Sequence, residues 1–415
     1  MTERLVELEE IEEARKRAEG VVLVTPTMPS QSFSRMCGAE VWLKAENLQR
    51  TGSFKIRGAM NALSQLPEQQ RRAGVVAASA GNHAQGVALA AQTLGIPATV
   101  FMPLTAAIPK VDATRGYGAN VELAGEHVGE AVEGATAFAD RTGAKLVHPY
   151  DDPHIIAGQG TLGLELVEQL PDLGTVVVPL GGGGLISGVA AGIKARRPQA
   201  KVVGVEASAV APYVASRKEG RPVPVEPRPT VADGIAVADP SPLAFAHIEA
   251  LVDELVTVED SEATHAVALL LERAKFLVEA SGAVSLAAVL SGSLGAHPQP
   301  VVVVLSGGNI DLLLLDRVVR QGLEAVGRFA AFRVRVPDVP GQLARVLNTI
   351  AEHEGNVLSV EHHREGVGLP FGMVEVWIAM ETRGEGNTRT ILEALPYEVI
   401  LPSMAGSSAT EATEA

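Results

Sequence analysis

Lys55 lies in the segment TGSFKIRGA (residues 51–59), between two apolar side chains, Phe54 and Ile56. Apolar surroundings penalise the charged ammonium form and so lower the pKa of a lysine. A neutral lysine amine is a nucleophile that can form a Schiff base with a carbonyl group. A single lysine is more often a solvated surface residue, so the segment predicts this chemistry only together with other motifs.

A second segment, SAGNHAQG (residues 79–86), lies where an apolar run gives way to a helical pattern. Backbone N–H groups and a hydroxyl at a helix N-terminus favour an anion, for example the carboxylate of a substrate. In a purely structural alternative, Ser79 or Asn82 caps the helix. His83 is more typical of a packed or capping histidine than of a catalytic base.

A third segment contains four consecutive glycines, Gly181, Gly182, Gly183 and Gly184, between an apolar run and a helical pattern. Such a backbone can curl with its N–H groups directed inward and hold a phosphate group. The dinucleotide pattern G-x-G-x-x-G is not met, because Ser187 takes the place of its third glycine, and no lysine follows at P-loop spacing. The segment therefore predicts a phosphate site of another kind.

Short apolar or β-branched runs precede these segments and predict strands. The predicted strands are residues 41–43, 75–78, 98–102, 120–123, 145–147, 176–180, 201–206 and 301–305. Predicted helices between them include residues 84–94, 130–141 and 158–170. Apolar strands alternating with helices are typical of an α/β fold with mainly parallel sheets covered on both faces. Ligands of such folds bind at the carboxyl ends of strands, and each of the three segments follows a predicted strand.

The pattern changes near Arg328. Phe332, Val334 and Val336 alternate with arginines, which predicts a half-exposed strand, and the apolar residues of 343–350 then have helical spacing. With predicted strands at 356–363, 373–380 and 397–401 and a helix at 388–395, the order is βαββαβ, that of a ferredoxin-like unit. The small, polar residues 403–415 predict a disordered tail.

Composition sets limits on the class of protein. The 415 residues are 47% hydrophobic and carry a formal net charge of −15, which predicts a folded chain of two or three domains and argues against nucleic acid as a partner. The single cysteine, Cys37, and a charged N-terminus without a signal-peptide pattern predict a cytoplasmic protein. The uncharged stretch 175–193 contains the four glycines, so it predicts a strand, a loop and a helix and no membrane span.

Six motifs, in this order along the chain, resemble the pyridoxal-phosphate enzymes of fold type II, and in particular the threonine dehydratases (threonine ammonia-lyases). They are residues 44–59, SAGNHAQG, YDDP at 150–153 with AGQGT at 157–161, GGGGL at 181–185, VADG at 231–234 and LSGGNID at 305–311. The resemblance implies a catalytic region of the tryptophan synthase β type over residues 1–328, with a small subdomain of approximately residues 50–150 inserted in the large one. Residues 329–402 resemble an ACT domain, whose D-x-P-G-x-L start is present as Asp338, Pro340, Gly341 and Leu343.

The resemblance also implies roles for individual residues. Lys55 would bind pyridoxal 5'-phosphate as a Schiff base and later remove the substrate α-proton, while Phe54 packs against the cofactor ring. Asn82 would contact the ring hydroxyl, and Ser306 the pyridine nitrogen. The backbone from Gly181 through Gly182, Gly183 and Gly184 to Leu185 would bind the phosphate. The substrate carboxylate would be held by Ser79, Ala80, Gly81, Asn82 and His83.

The implied reaction is β-elimination of water from L-threonine, giving 2-oxobutanoate and ammonia, with L-serine giving pyruvate as a side activity. The alternative within the family is a serine racemase or serine dehydratase; racemases carry a serine where this chain has Ala80, which cannot carry a proton. Racemases also bind a divalent metal, but only Glu206 matches a ligand and Pro212 replaces another, so we expect no metal. An alternative of a different class, an amino-acid-sensing regulatory protein with a degenerate catalytic half, is disfavoured by the intact Lys55 and Ser306.

The ACT-like domain implies regulation by a small molecule, with an amino acid as the expected effector, and assembly into a homodimer or homotetramer. Isoleucine biosynthesis and threonine catabolism both remain open as the physiological role, because the pattern does not identify the effector. Histidines 362 and 363 with Glu365 are more typical of a solvated strand face than of a metal site.

Overall fold

The computed structural model of the chain describes residues 4–365 and 368–401, so the tail predicted for residues 403–415 lies outside the described residues. The chain divides into two compact units, Met1–Val318 and Val319–Ala415.

The first unit alternates strands and helices. Its strands are β1 Thr27–Pro29, β2 Val41–Ala45, β3 Val75–Ala78, β4 Ala98–Met102, β5 Asn120–Leu123, β6 Lys145–Leu146, β7 Thr175–Pro179, β8 Lys201–Ala207, β9 Glu254–Val258 and β10 Val301–Leu305. Its helices are α1 Leu8–Arg17, α2 Gln31–Cys37, α3 Lys55–Ser64, α4 Glu68–Ala73, α5 Asn82–Leu94, α6 Ile108–Gly116, α7 Val128–Thr142, α8 Pro153–Gln169, α9 Gly184–Arg196, α10 Pro212–Glu219, α11 Pro242–Leu251, α12 Asp260–Leu269 and α13 Ala280–Leu290. Helix α14, Leu312–Ala325, spans the division between the units.

The larger sheet has the strand order β1-β2-β10-β7-β8-β9. Its strands are parallel except for β1, which runs antiparallel to β2. Strands β7 and β10 are neighbours in the middle of the sheet and are buried along their whole length, because valines on both of their faces are covered by helices. Because these two strands are parallel, their carboxyl ends lie at the same edge of the sheet.

A smaller, all-parallel sheet has the order β5-β4-β3-β6. The chain leaves the larger sheet after β2, builds this smaller sheet, and returns at β7. The predicted α/β class with mainly parallel sheets is thus confirmed. The uncharged stretch 175–193 forms β7, the glycine segment and most of α9, and none of the described helices is long and apolar enough to cross a membrane.

The second unit contains β11 Phe329–Pro337, α15 Gln342–Glu352, β12 Asn356–His363, β13 Met373–Glu381, α16 Glu385–Ala394 and β14 Glu398–Ile400. The strands form an antiparallel sheet in the order β12-β13-β11-β14. Burial alternates along β11, and its buried Phe332, Val334 and Val336 pack with Val346 and Ile350 of α15. The predicted βαββαβ order is confirmed.

Candidate active site

Lys55 is the first residue of α3, and its amine lies at the centre of the candidate site. The Nζ atom donates a hydrogen bond to the carbonyl of Pro149 at 3.1 Å and lies 5.1 Å from the centre of the Phe54 ring. Burial lowers the pKa of Lys55 to about 8, the direction that the sequence predicts. A substantial fraction of the amine is therefore neutral near pH 8, as a nucleophile or a base requires.

The segment before Lys55 is held against the end of β10. The N–H group of Phe54 donates to the carbonyl of Ser306 at 3.1 Å, and the N–H group of Gly308 donates to the carbonyl of Gly52 at 2.8 Å. Ser306 is 4% exposed and follows the last residue of β10. Ser306 and Lys55, far apart in sequence, are therefore brought to the same edge of the larger sheet.

A buried charge cluster, consisting of Lys44, Glu46, Arg57 and Glu165, lies beside the first turn of α3. Arg57 contacts Glu46 at 2.7 Å and Glu165 at 2.6 Å, and Lys44 contacts the other oxygen of Glu165 at 2.6 Å. The four side chains are between 0% and 5% exposed, and their formal charges cancel. The pairing compensates the cost of burying each charge and ties α3 to β2 and α8.

Asn82, the first residue of α5, takes part in a network that the sequence did not reveal. Its Nδ2 donates to Oε1 of Glu279 at 2.6 Å, and its Oδ1 accepts from Nδ2 of Asn309 at 2.8 Å. Burial raises the pKa of Glu279 to about 7, with the nearby charge of Asp233 acting in the same direction. Asn309 lies in one of the six sequence motifs. Glu279 lies in none of them, and the sequence did not indicate its contact with Asn82, which is 197 residues away.

The start of α5 corrects one structural interpretation. Gly81 is the N-cap, and no side chain caps this helix, so the structural alternative in which Ser79 or Asn82 caps it is wrong. Ser79 instead accepts from the N–H group of Gly81 at 3.2 Å. The uncapped amides keep this helix end suited to an anion.

His83 is a packed histidine, as the sequence predicts. It is 4% exposed, its Nε2 lies 2.9 Å from the carbonyl of Val147, and burial lowers its pKa to about 3. The ring is therefore neutral at physiological pH.

The glycine loop, consisting of Gly181, Gly182, Gly183 and Gly184, joins β7 to α9. A Cβ atom at Gly182 would lie 2.1 Å from Cδ1 of Tyr150, and one at Gly181 would lie 2.7 Å from Cα of Ile235. Gly183 has a φ of +88°, a conformation that other residues rarely adopt. The loop is therefore closely packed and not a flexible turn, and it ends at a helix N-terminus whose amides lack intrahelical partners.

These residues fit pyridoxal phosphate. The glycine loop provides a cradle for a phosphate, and Lys55 provides an amine for the aldehyde. Within residues 4–365 and 368–401, the buried hydroxyl groups of Thr51 and Ser53, which flank Gly52 near Lys55, have no hydrogen-bond partner. A polar ligand in the site would meet an unsatisfied donor there.

Glu206, at the end of β8, is engaged by the backbone. Its carboxylate accepts from the N–H groups of Tyr213 and Val214 at 3.0 and 2.8 Å, next to Pro212 at the start of α10. Burial raises the pKa of Glu206 to about 7. In the described part of the chain, no three His, Cys, Asp or Glu side chains are arranged to hold a metal ion.

The fold is α/β, and the candidate site combines a buried lysine with a glycine loop suited to a phosphate group. A family model for "pyridoxal-phosphate dependent enzyme" matches residues 19–307, and one for "ACT domain" matches residues 330–395. The chain belongs to the pyridoxal-phosphate-dependent enzyme family and carries an ACT domain.

Individual relatives cover most of the chain. It is 48% identical over 398 residues to the L-threonine ammonia-lyase of Thermotoga maritima, which is 95% of this chain and 99% of that protein. Among solved structures, maize serine racemase is similar with a TM-score of 0.73 and 35% identity, over 78% of this chain and 99% of that one. Threonine deaminase isoform 2 of Solanum lycopersicum has a TM-score of 0.71 and 35% identity, over 77% of this chain and 96% of that one.

Proposed function

We propose that the protein is a pyridoxal-phosphate-dependent L-threonine ammonia-lyase, which eliminates water from L-threonine and yields 2-oxobutanoate and ammonia. L-Serine, converted to pyruvate, is the expected second substrate. The observation that carries the proposal is the convergence of Lys55 and the glycine loop on the Pro149–Tyr150 turn, which brings an amine of lowered pKa beside a phosphate cradle. The activity named for the relative from Thermotoga maritima supports the choice of substrate.

The residues would divide the work as follows. Lys55 would hold the cofactor covalently, and its free amine would accept the α-proton of the substrate. The amides from Gly181 to Leu185 bind the phosphate, and Phe54 packs against the ring. When bound, pyridoxal phosphate supplies an electron sink that weakens the bonds at the substrate α-carbon. Asn82 would form a hydrogen bond with the ring hydroxyl.

Ser306 and the start of α5 complete the site. The Ser306 hydroxyl would contact the pyridine nitrogen as a neutral group, so it would not hold a proton there as a carboxylate does. The substrate carboxylate lies at the helix N-terminus formed by Ser79, Ala80, Gly81, Asn82 and His83, where the amides and the helix dipole favour an anion.

Serine racemisation is the second candidate, because the maize racemase is among the similar structures. Racemisation requires an acid or base on the face opposite Lys55. The methyl group of Ala80 has no proton to give, and the neutral ring of His83 is turned to the carbonyl of Val147. Both observations favour elimination.

For the ACT domain we propose an amino-acid effector. A cavity of about 420 Å³ is lined by Asp338, Val339, Pro340, Gly341, Gln342, Leu343, His362 and Arg364, among others. An oxygen of the Asp338 carboxylate lies 3.6 Å from a nitrogen of the Arg364 guanidinium. One site therefore offers a carboxylate for the ammonium group of an amino acid and a guanidinium for its carboxylate.

We further propose that the protein is located in the cytoplasm and assembles into a homodimer or homotetramer. Light scattering tests the assembly.

The activity is tested with purified, cofactor-loaded protein given L-threonine or L-serine, by measuring 2-oxo acid and ammonia and by chiral analysis of the remaining serine. Faster formation of 2-oxobutanoate without D-serine is the expected result. D-Serine would favour the racemase. No product from either substrate would favour another β-substituted amino acid as the substrate, or the regulatory alternative.

A further inference from the structure

Tyr213 is a buried residue that the proposed reaction does not use, yet its hydroxyl contacts the glycine loop. The side chain is 0% exposed. Its hydroxyl donates to the carbonyl oxygen of Gly182 at 2.9 Å and accepts from the N–H group of Ser241 at 3.2 Å. Because the hydroxyl donates its only proton to Gly182 and accepts from Ser241 with a lone pair, its O–H bond points in one fixed direction, toward the Gly182 oxygen.

This hydrogen bond fixes the orientation of the peptide between Gly182 and Gly183. In a planar trans peptide the C=O and N–H groups point in opposite directions. With the Gly182 oxygen held toward Tyr213, the N–H group of Gly183 is directed to the other side of the loop. A run of glycines has many backbone conformations open to it, so a bond from outside the loop is needed to select one.

Tyr213 is itself held rigidly. Its backbone N–H group donates to the buried carboxylate of Glu206, which anchors the first turn of α10 to the end of β8. On the other side, Ser241 donates through its hydroxyl to Asp151, the residue after the Tyr150 whose ring lies against Gly182. The hydroxyl thus connects the loop to two rigid supports.

We propose that Tyr213 is a positioning residue for the glycine loop, which holds the loop amides in the orientation that binds the phosphate group of the cofactor. The inference rests on the proposed function, because it takes the glycine loop as the phosphate site. Tyr213 acts through the loop and does not itself contact the phosphate.

The test compares two ligands on the apoprotein: pyridoxal phosphate and pyridoxal, which lacks the phosphate. Tyr213→Phe keeps the ring but leaves the Gly182 oxygen and the Ser241 N–H group without their partner. We expect the affinity for pyridoxal phosphate to fall about tenfold and that for pyridoxal to stay unchanged. Tyr397→Phe is the matched control, since it removes a tyrosine hydroxyl that contacts Gln342 in the second unit, and its affinity ratio should equal that of the wild type.

An unchanged ratio in Tyr213→Phe, or an equal loss of both ligands, would overturn the inference. Circular dichroism of the apoprotein checks folding. If the phenylalanine variant does not fold, Tyr213 can be replaced by 3-fluorotyrosine, whose hydroxyl is a stronger hydrogen-bond donor. We then expect a greater preference for pyridoxal phosphate over pyridoxal and a shifted ³¹P resonance of the bound phosphate. No change in either measurement would overturn the inference. A wild-type protein that does not prefer pyridoxal phosphate over pyridoxal contradicts the proposed function instead.

Discussion

The ring of Tyr150 lies so close to Gly182 that a Cβ atom at position 182 would be 2.1 Å from its Cδ1 atom. The residue before this tyrosine, Pro149, accepts the hydrogen bond from the Lys55 amine. One turn of chain therefore sets the position of the glycine loop relative to the reactive lysine. A shift of either contact would change the distance between the amine and the phosphate cradle.

Gly182→Ala is expected to weaken the binding of pyridoxal phosphate by at least about tenfold, because the added methyl group must displace the Tyr150 ring or the loop. Titration of the apoprotein, followed by absorption, measures the dissociation constant. Gly129→Ala, in α7, is the control, because nothing lies within 4 Å of the position of its Cβ. Equal affinity in both variants would contradict the close packing of the loop.

Lys55→Ala is expected to abolish both the visible absorption of the Schiff base and the release of 2-oxo acid, because no other amine is assigned to the cofactor. In the wild type, borohydride reduction should attach the cofactor permanently to the peptide that contains Lys55, as mass spectrometry would reveal. Lys145→Ala, at an exposed lysine, should keep both signals. Cofactor attached to another lysine would refute the assignment.

Glu165→Ala is expected to lower the free energy of unfolding by about 3–5 kcal/mol, because it leaves Lys44 and Arg57 buried with half of their compensating charge. The control lies three residues further along the same helix. Glu168 pairs with Arg15 at the surface, where the two side chains are 56% and 45% exposed, so Glu168→Ala should change stability by less than about 0.5 kcal/mol. Urea denaturation of the apoproteins measures both, and similar values would show that the buried charge cluster contributes little.

Glu279→Gln tests the raised pKa of Glu279. Folded protein keeps the carboxyl proton up to about pH 7, whereas the unfolded chain loses it near the ordinary value of 4.5. Between these two pH values the folded protein therefore binds more protons than the unfolded chain. For this reason the free energy of unfolding decreases as the pH rises through this range. Relative to the glutamine variant, the wild-type apoprotein should lose up to about 3 kcal/mol between about pH 5 and about pH 7.5.

The control for this titration is Glu19→Gln, at an exposed glutamate. Its unfolding free energy should follow that of the wild type over the same range of pH. A difference between wild type and Glu279→Gln that does not depend on pH would show that Glu279 titrates normally.

Asp338→Ala is expected to remove the response of the enzyme to the proposed amino-acid effector while the rate without effector stays unchanged, because the variant loses the carboxylate proposed to bind an ammonium group. Initial rates in the presence of each protein amino acid measure the response. Glu385→Ala, an exposed residue of the same unit, should respond as the wild type does. An effector response that survives in Asp338→Ala would place the binding site elsewhere.

Much of the fold follows from local sequence patterns. Strands 75–78, 98–102, 120–123 and 301–305 have the predicted bounds, because glycine or proline residues lie close to both ends of each strand and limit the choice of boundary. Strands β1 and β9 were not predicted. The first has three residues and ends in proline, and the second is an edge strand whose residues are mostly half-exposed, so neither has a clear apolar run.

The site was predictable only where its residues lie in motifs. The motifs singled out Lys55, Asn82 and Ser306, and the structure brings their segments together, while their roles stay predictions. Glu279 and Tyr213 were missed, because what distinguishes them is a contact across the fold and not a neighbour in sequence. The capping interpretation of Ser79 and Asn82 failed because Gly81 takes the N-cap position.

The insertion of the smaller sheet between β2 and β7 has a consequence for the order in which the chain folds during synthesis. Strands β3 to β6 are made close together and can pair while the rest of the protein is still being translated. Strand β10 is the last strand of the larger sheet to be made, yet it fills the place between β2 and β7, pairing Val41 with Val301. Until it emerges from the ribosome, the edges of β2 and β7 stay open, so a stalled or truncated chain exposes mainly apolar strand edges of the kind that chaperones recognise.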